Sequence, residues 1–453
     1  MLSVKAGLRP PGIIMTTYNV SGGDQFNAAL AQAKGGDSIV LAAGNYGSAY
    51  LYNTTFSSTV TIKSASSTDK AHFDYMQLDG ATNVSLEGLD VGRALTASEP
   101  EYTTMMKVYN SSGIKMADMS IHGSLDDNPS NDGIGLYVTN SSNVQLTGSS
   151  FRDLFRGAYL EKNSNVTISA NSFQMIRSDG IDVGKIDGIV IDKNVFGNFH
   201  PIVGDHPDAI QFWEVNQTDG SSNITITNNT VMQGAGVGTQ GIWISDPNAV
   251  GYKNVLIQNN LLYGNDQYHG ISVDGGHGVQ IIGNSVLSTS TDWKTYWIQL
   301  AGGDNFLVKD NATDKILVQP AATGVTLSHN LDLSQNPSAL SLFPNLNAPT
   351  GVKDLIIADY GYHVPGSTSV SGTPVSTVIG QDVIGTIGGS SSSSATGTQI
   401  GKAPPAGVSG VATPLPSHSD VFGSTPTSEA PVKTSLLTSH PLVSTHFDHF
   451  AIA

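Results

Sequence analysis

The sequence predicts an all-β fold: a single-stranded, right-handed parallel β-helix with an N-terminal capping helix and a disordered C-terminal tail. Three observations predict it. Strand-like runs of one form recur through residues 156–274: RGAYLEK from Arg156, DGIDVGK from Asp179, DAIQFWE from Asp208, QGIWISD from Gln240 and HGISVD from His269. Each is followed by a second run such as NVTISANSF (165–173), repeated as GIVIDKNVF, NITITNNTV, NVLIQNNLL and GVQIIGNSV. The second runs return an asparagine at a fixed place, giving Asn171, Asn194, Asn229, Asn260, Asn284, Asn311 and Asn330. Short strands at such irregular but recurrent spacing are the mark of a solenoid. An internal asparagine on each coil can bond the backbone of the coils above and below, so one residue type stacks as a ladder.

The same register assigns faces, because side chains alternate along a strand. The core positions read Ile134/Leu136, Ala158/Leu160, Ile181/Val183, Ile210/Phe212, Ile242/Ile244 and Ile271/Val273. Their outward partners form two columns. One reads Asp132, Arg156, Asp179, Asp208, Gln240, His269; the other reads Gly135, Tyr159, Asp182, Gln211, Trp243, Ser272. An inert solenoid face would carry Thr, Ser, Asn and Lys. Carboxylates, Arg, His and aromatics over consecutive coils predict a groove that holds a sugar chain.

The chain begins with an expected N-terminal extension, 1–17, followed by the β-helix catalytic domain over 18–365. Asp24 can cap a short amphipathic helix running through Ala33, which Gly35 and Gly36 end. Such a helix can plug the open end of the core. Early coils come from 59–64, 83–91 and 113–121, and the polar insertions 95–102 and 122–132 are expected to wall the groove. Residues 333–366 read as a terminal capping segment with a last strand at 355–358. Beyond 366 the composition turns rich in Ser, Gly, Pro and Thr, which cannot bury enough apolar surface to fold.

Composition narrows the function. The 453 residues carry a formal net charge of −16, which argues against a nucleic-acid partner. There is no cysteine, so thiolate metal sites and disulfides are excluded. No apolar run is long enough for a membrane span. The stretch MLSVKAGLRPPGIIM lacks the continuous apolar segment of a Sec-type signal. An acidic tail with an apolar end suits one-step type I export, so a secreted monomer is expected.

On these residues the chain resembles the parallel β-helix polysaccharide lyases and their relatives, including alginate and pectate lyases and mannuronan C5-epimerases, over roughly 18–345. QFNAALAQAKGGDSIVLAAGNYG (25–47) is similar to the N-terminal cap and first strand of alginate-type lyases, and GDHPDAIQFW (204–213) to an HxDxxQ-type stretch of the superfamily. The DPHE-type epimerase motif is absent. SDGID (178–182) and HGISV (269–273) look like polygalacturonase segments, without that family's adjacent Asp pair or Arg-x-Lys in register.

The resemblance implies β-elimination on an acidic, uronic-acid-containing polysaccharide. That chemistry needs a base at C5, a neutraliser for the uronate carboxylate and an acid for the leaving oxygen. Lys185 or His206 is the expected base, with Tyr159 as the acid. Asp179, Asp182 and Asp208 lie on adjacent coils, stacked at about 4.8 Å, where they can hold Ca²⁺ or bind substrate directly. Arg156, Arg177, Gln211, Trp243 and His269 complete the expected substrate-binding set, with Trp243 stacking on a sugar face and Arg177 within reach of Asp179. Because an acidic chain meets an acidic substrate, Arg156, Lys162, Arg177 and Lys185 must reverse the local field. A uronan C5-epimerase, a glycoside hydrolase using the three carboxylates, and a non-catalytic carbohydrate-binding solenoid are the alternatives.

Overall fold

A computed structural model describes residues 3–8, 14–264, 267, 269–289 and 295–365. The chain divides into units 1–391 and 392–453, and the described residues all belong to the first. The tail expected over 366–453 lies outside them.

Three sheets of 14, 12 and 11 strands are built among the described residues. The chain visits them in rotation: Asn163–Ser169 joins the first, Ser172–Ile176 the second and Ile181–Val183 the third, before Ile186–Asp192 returns to the first. Neighbouring coils pair in parallel, as in Val166↔Ile189 and Ile168↔Ile191. The alternating aliphatics therefore fill one continuous core, in which Ile181, Val183, Ile210, Phe212, Ile242 and Ile244 are all buried.

The asparagine ladder runs as expected from Asn171 to Asn330. Asn171 donates both its backbone N–H (3.0 Å) and its side-chain amide (2.9 Å) to Asn194 Oδ1. Asn194 repeats this on Asn229, and Asn229 on Asn260. Each amide also bonds a carbonyl of the preceding coil, such as Asn194 to Ile168 at 2.9 Å. Every polar atom at the corner is thereby satisfied without water. Beside the ladder, Phe151, Phe173 and Phe196 stack with centroids 4.6 and 4.9 Å apart.

Several expected boundaries move. The strand Ile14–Val20 pairs in parallel with Ser38–Leu41 and antiparallel with Ser3–Leu8, so the sheet begins inside the supposed 1–17 extension. The helix spans Gly23–Gln32 with Gly22 at the cap and no side-chain cap bond; Asp24 is already inside the first turn, where it favours the helix dipole instead. Phe26 and Ala29 bury its inner face, and Phe26 meets Phe73 edge-on at 5.7 Å.

The expected strand at 355–358 is absent, because residues Val352–Leu355 form a 3₁₀ turn. The segment does not cap the coil stack. It lies along the flank of the 12-stranded sheet, where Phe343, Leu346 and Leu355 cover the outward Leu261, Tyr263 and Leu287. Backbone bonds from Tyr362 to Ser285 and His363 to Asn259 hold it there. Apolar side chains on that outer face make flank packing available, and it removes them from water.

Candidate active site

The two outward columns differ from their sequence reading in the 134–139 coil. Leu136 pairs with Ala158 and Tyr137 with Tyr159, which moves the register by two residues. Tyr137 therefore replaces Gly135, and Ile134 replaces Asp132, below Arg156. The cause is local: Ile134, Leu136 and Val138 all alternate, so period two alone cannot choose between Ile134/Leu136 and Leu136/Val138. Above this coil the second column holds, running Tyr159↔Asp182↔Gln211↔Trp243↔Ser272.

The first column does not face solvent. Asp179, Asp208 and Gln240 are buried, because they sit at the bend entering the strand, and Asp179 shares the parity of Ile181. Asp182 and Gln211 lie in the outward column but are also covered.

Arg156 is the hub of this cluster. Its guanidinium lies 2.9 Å from Asp179 and 3.1 Å from Asp182, and 5.7 Å from the Tyr159 ring. A cation already occupies the space between two of the three carboxylates, so Asp179, Asp182 and Asp208 do not present the open oxygen cage that Ca²⁺ requires. This geometry does not fit the expected calcium site. Burial, against the pull of Arg156, pushes the Asp182 carboxyl up to about 7.

Asp208 is fully buried, and neither of its oxygens takes a hydrogen bond among the described residues. Its backbone N–H donates to Asp179 Oδ1 at 3.1 Å. The cation beside it is His206, whose Nδ1 lies 3.4 Å from Oδ2. Burial pushes Asp208 up to about 7, opposed by His206 and reinforced by Asp179. Reciprocally, Asp208 raises the His206 pKa against the effect of burial. His206 keeps half of its side chain exposed, with the Gln240 amide 2.6 Å from Nε2 and the Trp243 ring 5.6 Å away. A half-exposed imidazole backed by a sealed carboxylate can take up and release a proton.

The other expected residues divide. Lys185 leaves the cluster: it pairs with Asp219 at 2.9 Å and bonds the Gly220 carbonyl. Tyr159 stacks on Tyr137 at 5.0 Å. It lies two coils from Asp208 (159↔182↔211), and burial raises its pKa, so the hydroxyl stays protonated. Arg177 does not reach Asp179. It bonds Asp205 (2.8 Å) and Glu101 (2.7 Å) while lying over the Phe155 ring. The expected wall at 95–102 is thereby tied to the 200–205 loop. His269, beside the Trp297 ring, is pushed down to about 4 by burial and by His206, so it is neutral. Sequence reasoning missed Gln240 as a partner of His206 and Tyr137 as a ring on the same face. Their positions in the repeat were the available signal.

Residues 104–313 match the family described as right-handed β-helix region. The described residues form a parallel β-helix. The β-helix is similar in fold to PfbA, a surface adhesin of Streptococcus pneumoniae, at 14% identity and a TM-score of 0.50, covering 68% of this chain and 86% of that one. Lower similarity extends to a Yersinia enterocolitica family 28 exopolygalacturonase (13% identity, TM-score 0.41, 70% and 79% covered). It extends also to an alginate lyase from a Paenibacillus species (16% identity, TM-score 0.32, 70% and 98% covered). No curated protein matches the sequence. No helix among the described residues of the β-helix is long and apolar enough to cross a membrane.

Proposed function

We propose that this β-helix is a polysaccharide lyase that cleaves an acidic, uronic-acid-containing chain by β-elimination, with His206 as the base. The observation that carries this reading is the His206–Asp208 pair: an accessible imidazole whose basicity is raised by a carboxylate sealed from solvent. Proton uptake from C5 occurs at Nε2, once substrate displaces the Gln240 amide that stands there. Trp243, beside His206, offers a face for a sugar ring, and Tyr137 and Tyr159 continue that surface down the column.

Charge supports an anionic substrate. Asp179 is offset by Arg156, His206 stands beside Asp208, and burial raises Asp182 to about 7, so the cluster is less negative than its composition. Asp182, one coil from Asp208, can return a proton to the leaving oxygen. Tyr159 is assigned to sugar binding, because its distance along the stack from His206 is too great for the acid role.

A second reading, glycoside hydrolysis, is favoured by one observation: Asp182 is protonated near neutrality beside Asp179, as a general acid must be. The product decides between them. Incubation with a panel of uronans should generate the ultraviolet absorbance of an unsaturated uronide. New reducing ends without that absorbance would establish hydrolysis, and neither signal on any uronan would sink the lyase assignment.

A further inference from the structure

A second cluster of donors lies on the 12-stranded sheet, near the start of the coil stack and on a different sheet from the strand Asp208–Trp213 that follows His206. His72, Asp90 and His122 come from the successive strands Ala71–Phe73, Asp90–Gly92 and Ser120–His122. Asp90 is in register with His72, and His122 pairs with Gly92. His72 Nδ1 lies 2.7 Å and His122 Nε2 3.3 Å from the Asp90 carboxylate. All three donor atoms fall within 4.8 Å of one another.

The remaining nitrogens fix the tautomers. His122 Nδ1 is 2.7 Å from the Gly123 carbonyl, which can only accept, so this nitrogen carries hydrogen. His72 Nε2 faces the Asp74 carboxylate at 3.2 Å and donates to it likewise. With those hydrogens in place, His72 Nδ1 and His122 Nε2 both face the Asp90 carboxylate, which needs positive charge between them, from a further proton on each ring or from a bound cation. We propose that His72, Asp90 and His122 bind a divalent ion of the zinc class, with Asp74 and the Gly123 carbonyl orienting the two imidazoles.

Two imidazoles and one carboxylate suit zinc, which keeps an open position when three protein groups bind it. Tetrahedral zinc sets its donors about 3.3 Å apart. The His122–Asp90 separation already meets this, and His72 must draw back slightly. The Asp74–His72 contact is the outer support that metal-bound histidines generally have. His72 and Asp90 are each about a quarter exposed, leaving the fourth position to water or an external ligand. Gly92 makes the approach feasible, since a Cβ there would overlap the His122 carbonyl and sit 2.9 Å from its Nδ1. The ion would pin three consecutive coils.

The test uses the full chain, stripped with a chelator and titrated with ZnCl₂ by calorimetry, with CoCl₂ as a spectroscopic probe. The expected result is one site with Kd at or below about 10 µM. Binding should raise the melting temperature and give a visible four-coordinate cobalt band. His72→Ala and His122→Ala should each abolish binding, while His206→Ala leaves it intact. If a variant fails to fold, zinc protection of His72 and His122 from carbethoxylation, mapped on the wild-type chain, decides instead. No zinc or cobalt binding up to about 1 mM, or binding and protection that ignore these two histidines, overturns the proposal.

Discussion

Asp208 is sealed from solvent while His206, 3.4 Å away, keeps half its side chain exposed. One proton position thus links a buried acid to an accessible base. Replacing His206 by Ala should lower kcat on the best uronan by about 10²–10⁴, with the circular dichroism spectrum unchanged. Activity within about threefold of wild type would remove His206 as the base. Lys185→Ala, placed away from the cluster by its Asp219 contact, should retain near wild-type turnover.

Substrate affinity should depend on pH. Above about 7 the Asp182 carboxyl loses its proton and places negative charge against an anionic chain. KM for a uronan should therefore rise as pH passes 7, and Asp182→Asn should weaken that rise. A flat KM between pH 6 and 9 would contradict the charge argument.

Stability should follow the same groups with a definite sign. Asp182, Asp208 and Asp314 are raised by burial from 3.8 to about 7, so in this window the folded state holds protons that the unfolded chain releases. These three carboxyls lower stability as pH rises from about 4 to about 7, opposed in part by His269, whose lowered pKa favours the folded state as pH rises through that range. Melting temperatures measured across this range check it, and Asp314→Asn should flatten the slope.

The ladder supports a sharper mutation. Asn194→Ala strips the partner from the Asn171 N–H and from the Ile168 carbonyl, both buried. Loss of about 2–4 kcal/mol is expected from the orphaned groups. The exposed Gln145→Ala, on a neighbouring strand, should stay within about 0.5 kcal/mol. Urea unfolding of the two variants compares them directly.

Arg177 holds Glu101 and Asp205 together across the wall of the site. Arg177→Met should free the 200–205 loop, raise KM more than it lowers kcat, and speed proteolytic cleavage there. Unchanged proteolysis would show that the loop is held by other contacts.

The sequence by itself determined the coil, because its causes are local. Alternating aliphatics select a face every second residue, and the asparagine at a fixed offset bonds its own copies above and below. Both signals are complete within one repeat. The phase of the 134–139 coil escaped, since three alternating aliphatics satisfy either register until Tyr137 meets Tyr159. Asp179 and Asp208 were legible because they occupy repeat positions, and His206 because it stands two residues before one of them. Only the tertiary structure decided what each side chain pairs with. Long flexible side chains choose among several partners within reach, and the choice is made by whichever buried charge most needs compensation. Arg156 turns between Asp179 and Asp182, Arg177 reaches back to Glu101, and Lys185 leaves for Asp219. His72, Asp90 and His122 carry no shared motif at all. Loops of unequal length separate them along the chain, and stacking three coils brings them together.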